Sequence, residues 1–158
     1  MTSIKRKIFR WTIFLVPLMI FLYWNHWFRT FEDYSFESML IEKLIFNKEV
    51  KINEIIQKGE RVCFFPSYAT PNRAMSLSRT QIDFLYGIIH SPNNLGDHVW
   101  WIVVLSKDEV INAYRMSSGV RPNLKGGMCV KQKDSKLIFS KKDRFSVYFD
   151  LLEEVRLR

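Results

Sequence analysis

An uncharged apolar run from Trp11 to Tyr23 constrains this chain more than any other feature of its sequence. Four basic residues precede the run, and no acidic residue occurs before Glu32. The segment 8–28, which includes the aromatic residues at both ends of the run, is long enough as a helix to span the roughly 30 Å hydrocarbon core of a bilayer. Aromatic residues at such ends are typical of the headgroup level. We therefore expect residues 8–28 to form a transmembrane helix.

A cleaved secretory signal is the alternative interpretation, because a basic start and an apolar core describe both kinds of segment. Cleavage requires small residues after the core, whereas the bulky sequence YWNHWFRTF follows it here. The first cysteine, Cys63, lies too far along the chain to serve as a lipid attachment site. We interpret the segment as an uncleaved signal-anchor.

The distribution of charge predicts the orientation of this anchor. Residues 1–7 are basic and acidic residues follow the helix, so the positive-inside rule places the N-terminus in the cytoplasm. In a Gram-negative cell, this gives a single-pass inner-membrane protein whose C-terminal domain is periplasmic.

Two cysteines agree with an oxidising location. Cys63 and Cys129 stand in separate strand-like segments, and an even number of cysteines in an exported domain predicts a disulfide bond. Two unpaired buried thiols are the alternative.

Residues 29–60 are expected to connect the anchor to the outer domain. The apolar spacing over 34–46 predicts a short amphipathic helix, with Asp33 and Ser35 as possible caps. After it, a helical turn over 53–58 and a strand over 50–52 are both compatible with the sequence.

Residues 61–158 are expected to form an α+β domain. A buried strand over 61–65 precedes a helix over 78–90, for which a strand is the alternative. An antiparallel meander of about five strands follows, at 98–105, 110–116, 126–131, 136–140 and 145–151. The stretch 117–127, rich in Gly, Ser and Pro, is predicted to be a mobile loop. An all-β sandwich is the alternative fold.

The sequence contains few residue patterns that indicate catalysis. Of the three histidines, His90 and His98 lie at predicted element ends, and His98 follows Asp97, but no metal-binding spacing of His or Cys occurs. No G-x-S-x-G elbow is present, and Ser67 is explained as a turn residue. Gly126 and Gly127 lack the Lys-Ser/Thr of a phosphate loop. We predict no enzymatic activity, no metal site and no cofactor.

Two surface features are candidates for binding a partner. Trp100 and Trp101 are adjacent on a predicted strand, so one indole should fill the core, while the other either packs against the helix or acts as a binding anchor. The run 131–144 is rich in Lys and Arg, and either a solvated hairpin or a surface for anionic headgroups or an acidic protein explains it. The possible partner-binding residues are Trp100, Lys131, Lys133, Lys136, Lys141, Lys142 and Arg144.

A two-cysteine pattern runs through the outer domain: VCFFPSY at 62–68, then a capped helix, WIVV at 101–104 and GMC at 127–129. In this pattern the chain resembles small membrane-anchored periplasmic proteins of Gram-negative bacteria, some of which are immunity proteins against type VI secretion toxins or bacteriocins. The resemblance implies a toxin-binding function but transfers no functional residue. The chain departs from the lipoprotein members because it lacks an N-terminal lipidation cysteine.

Three function classes follow from the sequence. A membrane-anchored periplasmic binding protein, most specifically an immunity protein, needs only a complementary surface. An accessory or structural subunit of a cell-envelope complex is the alternative, and an enzyme is disfavoured. The basic charge also suits nucleic acid, but a location outside the cytoplasm argues against that partner.

Overall fold

The computed structural model describes residues 15–19, 31–71, 75–90 and 98–153. The chain divides into two units, Met1–Phe31 and Glu32–Arg158. In the first unit, residues 15–19 are helical, and most of the expected anchor at 8–28 lies outside the described residues. Within the described ranges, no helix combines the length and the apolar character required to cross a bilayer.

The second unit is an α+β domain of two four-stranded sheets with helices. The helices are α1 (Phe31–Asn47), α2 (Ile52–Ile55) and α3 (Arg79–Ile89). The strands are β1 (Glu49–Lys51), β2 (Arg61–Phe65), β3 (Trp100–Ser106), β4 (Glu109–Met116), β5 (Val120–Pro122), β6 (Met128–Lys131), β7 (Ser135–Lys142) and β8 (Val147–Glu153). The predicted α+β class is confirmed.

Sheet I has the strand order β4-β3-β2-β6, and all its pairs are antiparallel. One face of the sheet contacts α3, whose Leu85 and Ile89 pack on Phe65 and Val103. The other face contributes residues such as Phe64 to the main core. Sheet I is therefore covered on both faces, which explains why β3 is apolar along nearly its whole length.

Sheet II has the order β1-β7-β8-β5, in which β5 runs parallel to β8 and the other pairs are antiparallel. Its inner face packs on sheet I, and the rings of Phe64 and Phe149 meet edge to face with centroids 6.0 Å apart. Pro122 lies in β5, an edge strand, where its missing N–H breaks no ladder. The alternating burial of β7 and β8 leaves the other face of sheet II to solvent.

Helix α1 closes the main core, into which Leu40 and Leu44 are fully buried. It therefore belongs to the same compact unit as the sheets, whereas the sequence predicts only a connecting role for residues 29–60. The predicted caps also differ, because the helix begins before Asp33. The Asp33 carboxylate instead accepts a hydrogen bond from the Arg115 backbone N–H at 2.9 Å.

Helix α1 also protects the open edge of β4. Glu37, one helical turn after Asp33, accepts hydrogen bonds from the backbone N–H and the hydroxyl of Ser117. Unpaired N–H groups on an edge strand would otherwise invite pairing with another chain. These two carboxylates thus join α1 to the end of sheet I.

The disulfide bond between Cys63 and Cys129 is present, as predicted. The two residues face each other directly in the antiparallel pair β2–β6, and Cys63 is fully buried. The bridge therefore joins two neighbouring strands of sheet I on the face that α3 covers.

The predicted five-strand meander is wrong in its connectivity. Its first two strands form the hairpin β3–β4 and its last two form β7–β8, but β6 pairs with β2 instead of β7. Buried Gln132 marks the crossing between the sheets, because its backbone N–H donates to the Glu60 carbonyl and its side chain donates to the Ile56 carbonyl. Alternation shows which face of a strand is buried, but not which strand lies beside it.

Three further predictions concern other segments of the chain. The helix over 78–90 is confirmed, and its predicted capping box forms between Ser78 and Gln81. The stretch 117–127 is not wholly a loop, since it contains β5, whose Val120 is fully buried beside Val147 of β8. At 50–52 and 53–58 the strand and the helical turn both occur, as β1 followed by α2.

Candidate functional site

The predicted basic run is divided between the two ends of β7. Lys131 ends β6 and Lys133 lies in the turn before β7, whereas Lys141 and Lys142 end β7 and Arg144 lies in the turn after it. Strand β7 runs from 135 to 142, so these ends lie about 23 Å apart at roughly 3.3 Å per residue. The basic residues therefore form two separate surfaces.

The end near β6 holds carboxylates as well as cations. The Lys136 ammonium lies 2.9 Å from the Glu49 carboxylate. The backbone N–H of Lys131 donates to the Glu153 carboxylate at 3.4 Å, and Asp134 follows Lys133 in the turn. Three cations of the run thus lie near three carboxylates, and Lys51, opposite Lys136 in β1, adds a fourth cation.

The opposite end combines cations with exposed aromatic rings. We call it the turn surface, and it consists of Phe46, Lys48, Lys141, Lys142, Arg144 and Phe145. Phe46 and Phe145 are 77% and 78% exposed, the largest exposed fractions among the large apolar residues described. Exposure at this level leaves almost a whole phenyl ring in water at each position.

Antiparallel pairing of β1 with β7 places Phe46 and Lys48 toward the other residues of the turn surface. Because β1 runs opposite to β7, the chain just before β1 lies toward the C-terminal end of β7, and the Phe139 N–H donates to the Lys48 carbonyl at 2.7 Å. Lys48 has φ 61°, a left-handed conformation that ends α1 and reverses the chain into β1. Phe46, in the last turn of α1, therefore lies toward the same end of sheet II.

Cation–π contacts order the basic side chains of this surface. The Lys48 ammonium lies 4.0 Å from the centroid of the Phe139 ring, and the Lys141 ammonium lies 4.8 Å from that of Tyr148. The Arg144 guanidinium lies 5.3 Å from the Phe145 centroid. Such contacts restrict flexible side chains without neutralising their charge.

Asp143 fixes the turn that carries Arg144 and Phe145. Its carboxylate accepts the backbone N–H of Phe145 at 2.8 Å and that of Ser146 at 2.7 Å, and its own N–H donates to the Ser146 carbonyl. These backbone hydrogen bonds lower the pKa of the exposed Asp143 carboxyl, and a hydrogen bond with the Tyr148 side chain and the charge of Lys141 lower it further. The Asp143 carboxylate thus stabilises the shape of the turn.

Trp100 is not a surface anchor, contrary to its place among the possible partner-binding residues. Its side chain is 3% exposed, and its indole N–H donates to the Ser117 and Val120 carbonyls at 2.8 and 2.7 Å. The alternation that separates Trp100 from Trp101 turns Trp100 into the main core, while the partly buried Trp101 packs against the core on the α3 side. A partner could not reach Trp100 without opening that core.

A cleft of about 410 Å³ lies where α2 and the chain after it approach β4. It is lined by Glu32, Ile55, Ile56, Gln57, Lys58, Val104, Ile111, Asn112 and Tyr114. Burial raises the pKa of Tyr114, the charges of Glu32 and Asp33 raise it further, and a hydrogen bond with Asn112 opposes them. At neutral pH the phenol is protonated and can donate a hydrogen bond.

The remaining residues considered for chemistry lie apart from one another. The His98 ring contacts the Arg121 side chain at 3.4 Å, and His90 stacks on Tyr86. Asp97 lies outside the described residues, and those described contain no group of three or more His, Cys, Asp or Glu placed to hold a metal. Ser67 donates to the Val99 carbonyl at 2.8 Å, as a turn residue does.

Gly127 has a packing reason to be glycine. A Cβ atom there would lie 2.6 Å from the Met75 methyl carbon and 2.9 Å from the Phe65 ring. Gly126 has no such constraint, because a Cβ atom there would meet nothing within 4 Å.

Comparison with protein-family models, with curated proteins and with solved structures finds no match for this chain. The resemblance to periplasmic immunity proteins therefore stays a prediction from the sequence pattern.

Proposed function

We propose that this protein is a membrane-anchored binding protein of the bacterial periplasm that neutralises a secreted antibacterial toxin. Residues 8–28 would hold it in the inner membrane as a single pass, with residues 1–7 in the cytoplasm. The domain would act by occupying a surface of its partner, with no cofactor and no catalysis.

The turn surface carries this proposal. Phe145 exposes an aromatic ring on a turn that Asp143 fixes in shape, Arg144 contacts that ring, and Lys141 and Lys142 precede the turn. Aromatic and arginine side chains are enriched among residues that dominate binding energy. A turn that is already ordered loses less conformational entropy on binding.

The disulfide bond supports the periplasmic part of the proposal. Bridges such as Cys63–Cys129 persist in oxidising compartments and are rare in the cytoplasm. The apolar run from Trp11 to Tyr23, preceded by basic residues, supports the anchor and its orientation.

Protection of growing cells tests the function. We expect deletion of the gene to sensitise cells to a toxin delivered by siblings and encoded beside it, and expression of the full chain to restore growth. Restoration should fail with Lys142→Glu/Arg144→Glu and persist with the matched pair Lys131→Glu/Lys133→Glu at the other end of β7. If deletion sensitises cells to no candidate toxin, the immunity function is rejected.

The location is tested separately with reporter enzymes fused after Arg158. Alkaline phosphatase, which needs an oxidising compartment, should be active in this fusion, and β-galactosidase should not. The opposite pattern would reject the periplasmic domain. Co-purification of the full chain with several envelope proteins, without toxin protection, would favour the accessory-subunit alternative.

A further inference from the structure

We infer that the turn surface recognises a protein partner whose contacting face is acidic and receives an aromatic ring. The inference rests on the proposed binding function and specifies its partner. Phe145 would enter an apolar depression, and Lys48, Lys141, Lys142 and Arg144 would face carboxylates around it.

Charge complementarity favours a partner whose contacting face is acidic. Lys48, Lys141, Lys142 and Arg144 supply four cations against one carboxylate, Asp143, which stays charged while it accepts the N–H groups of Phe145 and Ser146. Four positive charges minus one leave this surface positive, whereas Glu49, Asp134 and Glu153 offset most of the cations at the other end of β7. Complementary charge accelerates association and excludes partners of the wrong sign.

The fixed geometry of the turn surface favours a protein over a lipid surface. Asp143 holds the turn in one shape, and rings order the cationic groups of Lys48, Lys141 and Arg144. A fluid layer of anionic headgroups attracts basic side chains through their charge and can rearrange around them. Preorganisation increases the affinity for a polypeptide partner, because the turn surface itself loses less freedom on binding.

The exposed residues of α1 also argue against binding to an anionic lipid surface. Tyr34, Ser38, Glu42 and Phe46 follow one another at intervals of four residues and are all exposed, so they form one stripe. The Glu42 carboxylate lies one helical turn before Phe46, where a layer of anionic headgroups around Phe46 would repel it. A protein whose contacting face ends at Phe46 leaves Glu42 in water.

The test uses the full chain in nanodiscs of zwitterionic phosphatidylcholine and a fluorescent random copolymer of glutamate and tyrosine as the probe. Fluorescence anisotropy at roughly physiological salt measures binding. We expect Lys142→Glu/Arg144→Glu to weaken binding at least about tenfold, and Phe145→Ala to weaken it several-fold with no change in charge. The matched pair Lys131→Glu/Lys133→Glu should change it less than about twofold.

Three outcomes would overturn the inference. In the first, the copolymer does not bind the unaltered chain. In the second, both charge-reversal pairs weaken binding equally, which would show an effect of net charge alone. In the third, the full chain in the same nanodiscs captures vesicles of phosphatidylglycerol, loses them with Lys142→Glu/Arg144→Glu, and does not bind the copolymer. That result would identify a lipid surface.

The inference and the proposed function fail separately. If Lys142→Glu/Arg144→Glu still protects cells from the toxin, the turn surface is not the partner site, although the immunity function stands. If the unaltered chain gives no protection, the immunity function fails whatever the copolymer does. Circular dichroism of each variant verifies that these exposed substitutions leave the fold intact.

Discussion

The two sheets of the domain differ in how they are covered. Sheet I has apolar neighbours on both faces and contains the disulfide bond. Sheet II is covered on one face, leaves the other to solvent and ends in the turn surface. Both faces of sheet I are thus used for packing, whereas the outer face and the end of sheet II are available for recognition.

The same difference is visible along single strands. Strand β3 is buried at nearly every position, whereas β7 alternates through Leu137 and then becomes exposed from Ser140 to Lys142. Substitutions in sheet I should consequently change the free energy of unfolding, and substitutions at the end of sheet II should change binding with little effect on stability.

Removal of the disulfide bond should give the largest loss of stability. The bridge closes a loop with a sequence separation of 66, for which the chain-entropy model gives about 4 kcal/mol. We expect Cys63→Ala/Cys129→Ala to lower the free energy of unfolding by about this amount. Denaturant unfolding of the full chain, followed by tryptophan fluorescence, measures it.

The control for this experiment comes from sheet II. Lys142→Glu/Arg144→Glu should change the free energy of unfolding by less than about 0.5 kcal/mol, because both side chains are exposed. If the two double variants lowered the free energy of unfolding by the same amount, the proposed difference between the two sheets would be wrong. The unaltered chain should also lose stability in reductant.

Local sequence patterns were sufficient to predict most individual elements. The strand at 61–65 has the predicted bounds, and the helix at 78–90 was marked by the capping box of Ser78 and Gln81. These signals act over a few residues. The disulfide bond was also predictable, because an even number of cysteines in a domain that the sequence predicts to be exported indicates a bridge.

Long-range pairing was not predictable in the same way. No local signal distinguishes the partners of β6, and the choice of β2 over β7 depends on the crossing at Gln132. The turn surface shows the same limit. Its residues 141–144 lie between the predicted strands at 136–140 and 145–151, but Phe46 and Lys48 join them only because β1 pairs with β7.

Disrupting the contact between α1 and the end of β4 should have an intermediate effect on stability. Glu37 is 4% exposed and accepts two hydrogen bonds from Ser117, so Glu37→Gln replaces one acceptor oxygen with a donor at a buried site. We expect a loss of about 1–3 kcal/mol in the free energy of unfolding. Glu42→Gln, at an exposed position of the same helix, is the matched control and should change it by less than about 0.5 kcal/mol. Equal effects of the two variants would show that the charge of α1 matters and the contact does not.

Loss of the Asp143 hydrogen bonds should have the smallest effect on global stability. This contribution to stability should depend on pH. Its pKa is lowered in the folded protein, so the folded state binds this proton less tightly than the unfolded chain, and stability rises with pH through this range. The contribution is present above the ordinary carboxyl pKa of about 3.9 and is lost as the pH falls through the lowered folded value. NMR titration of the Phe145 and Ser146 amides should report that transition. Asp143→Ala should abolish it, and Asp143→Asn should keep the turn geometry without the titration, since its amide oxygen still accepts both N–H groups. If the two amides titrate unchanged in Asp143→Ala, the carboxylate does not hold the turn, and the pre-ordered presentation of Phe145 loses its physical basis.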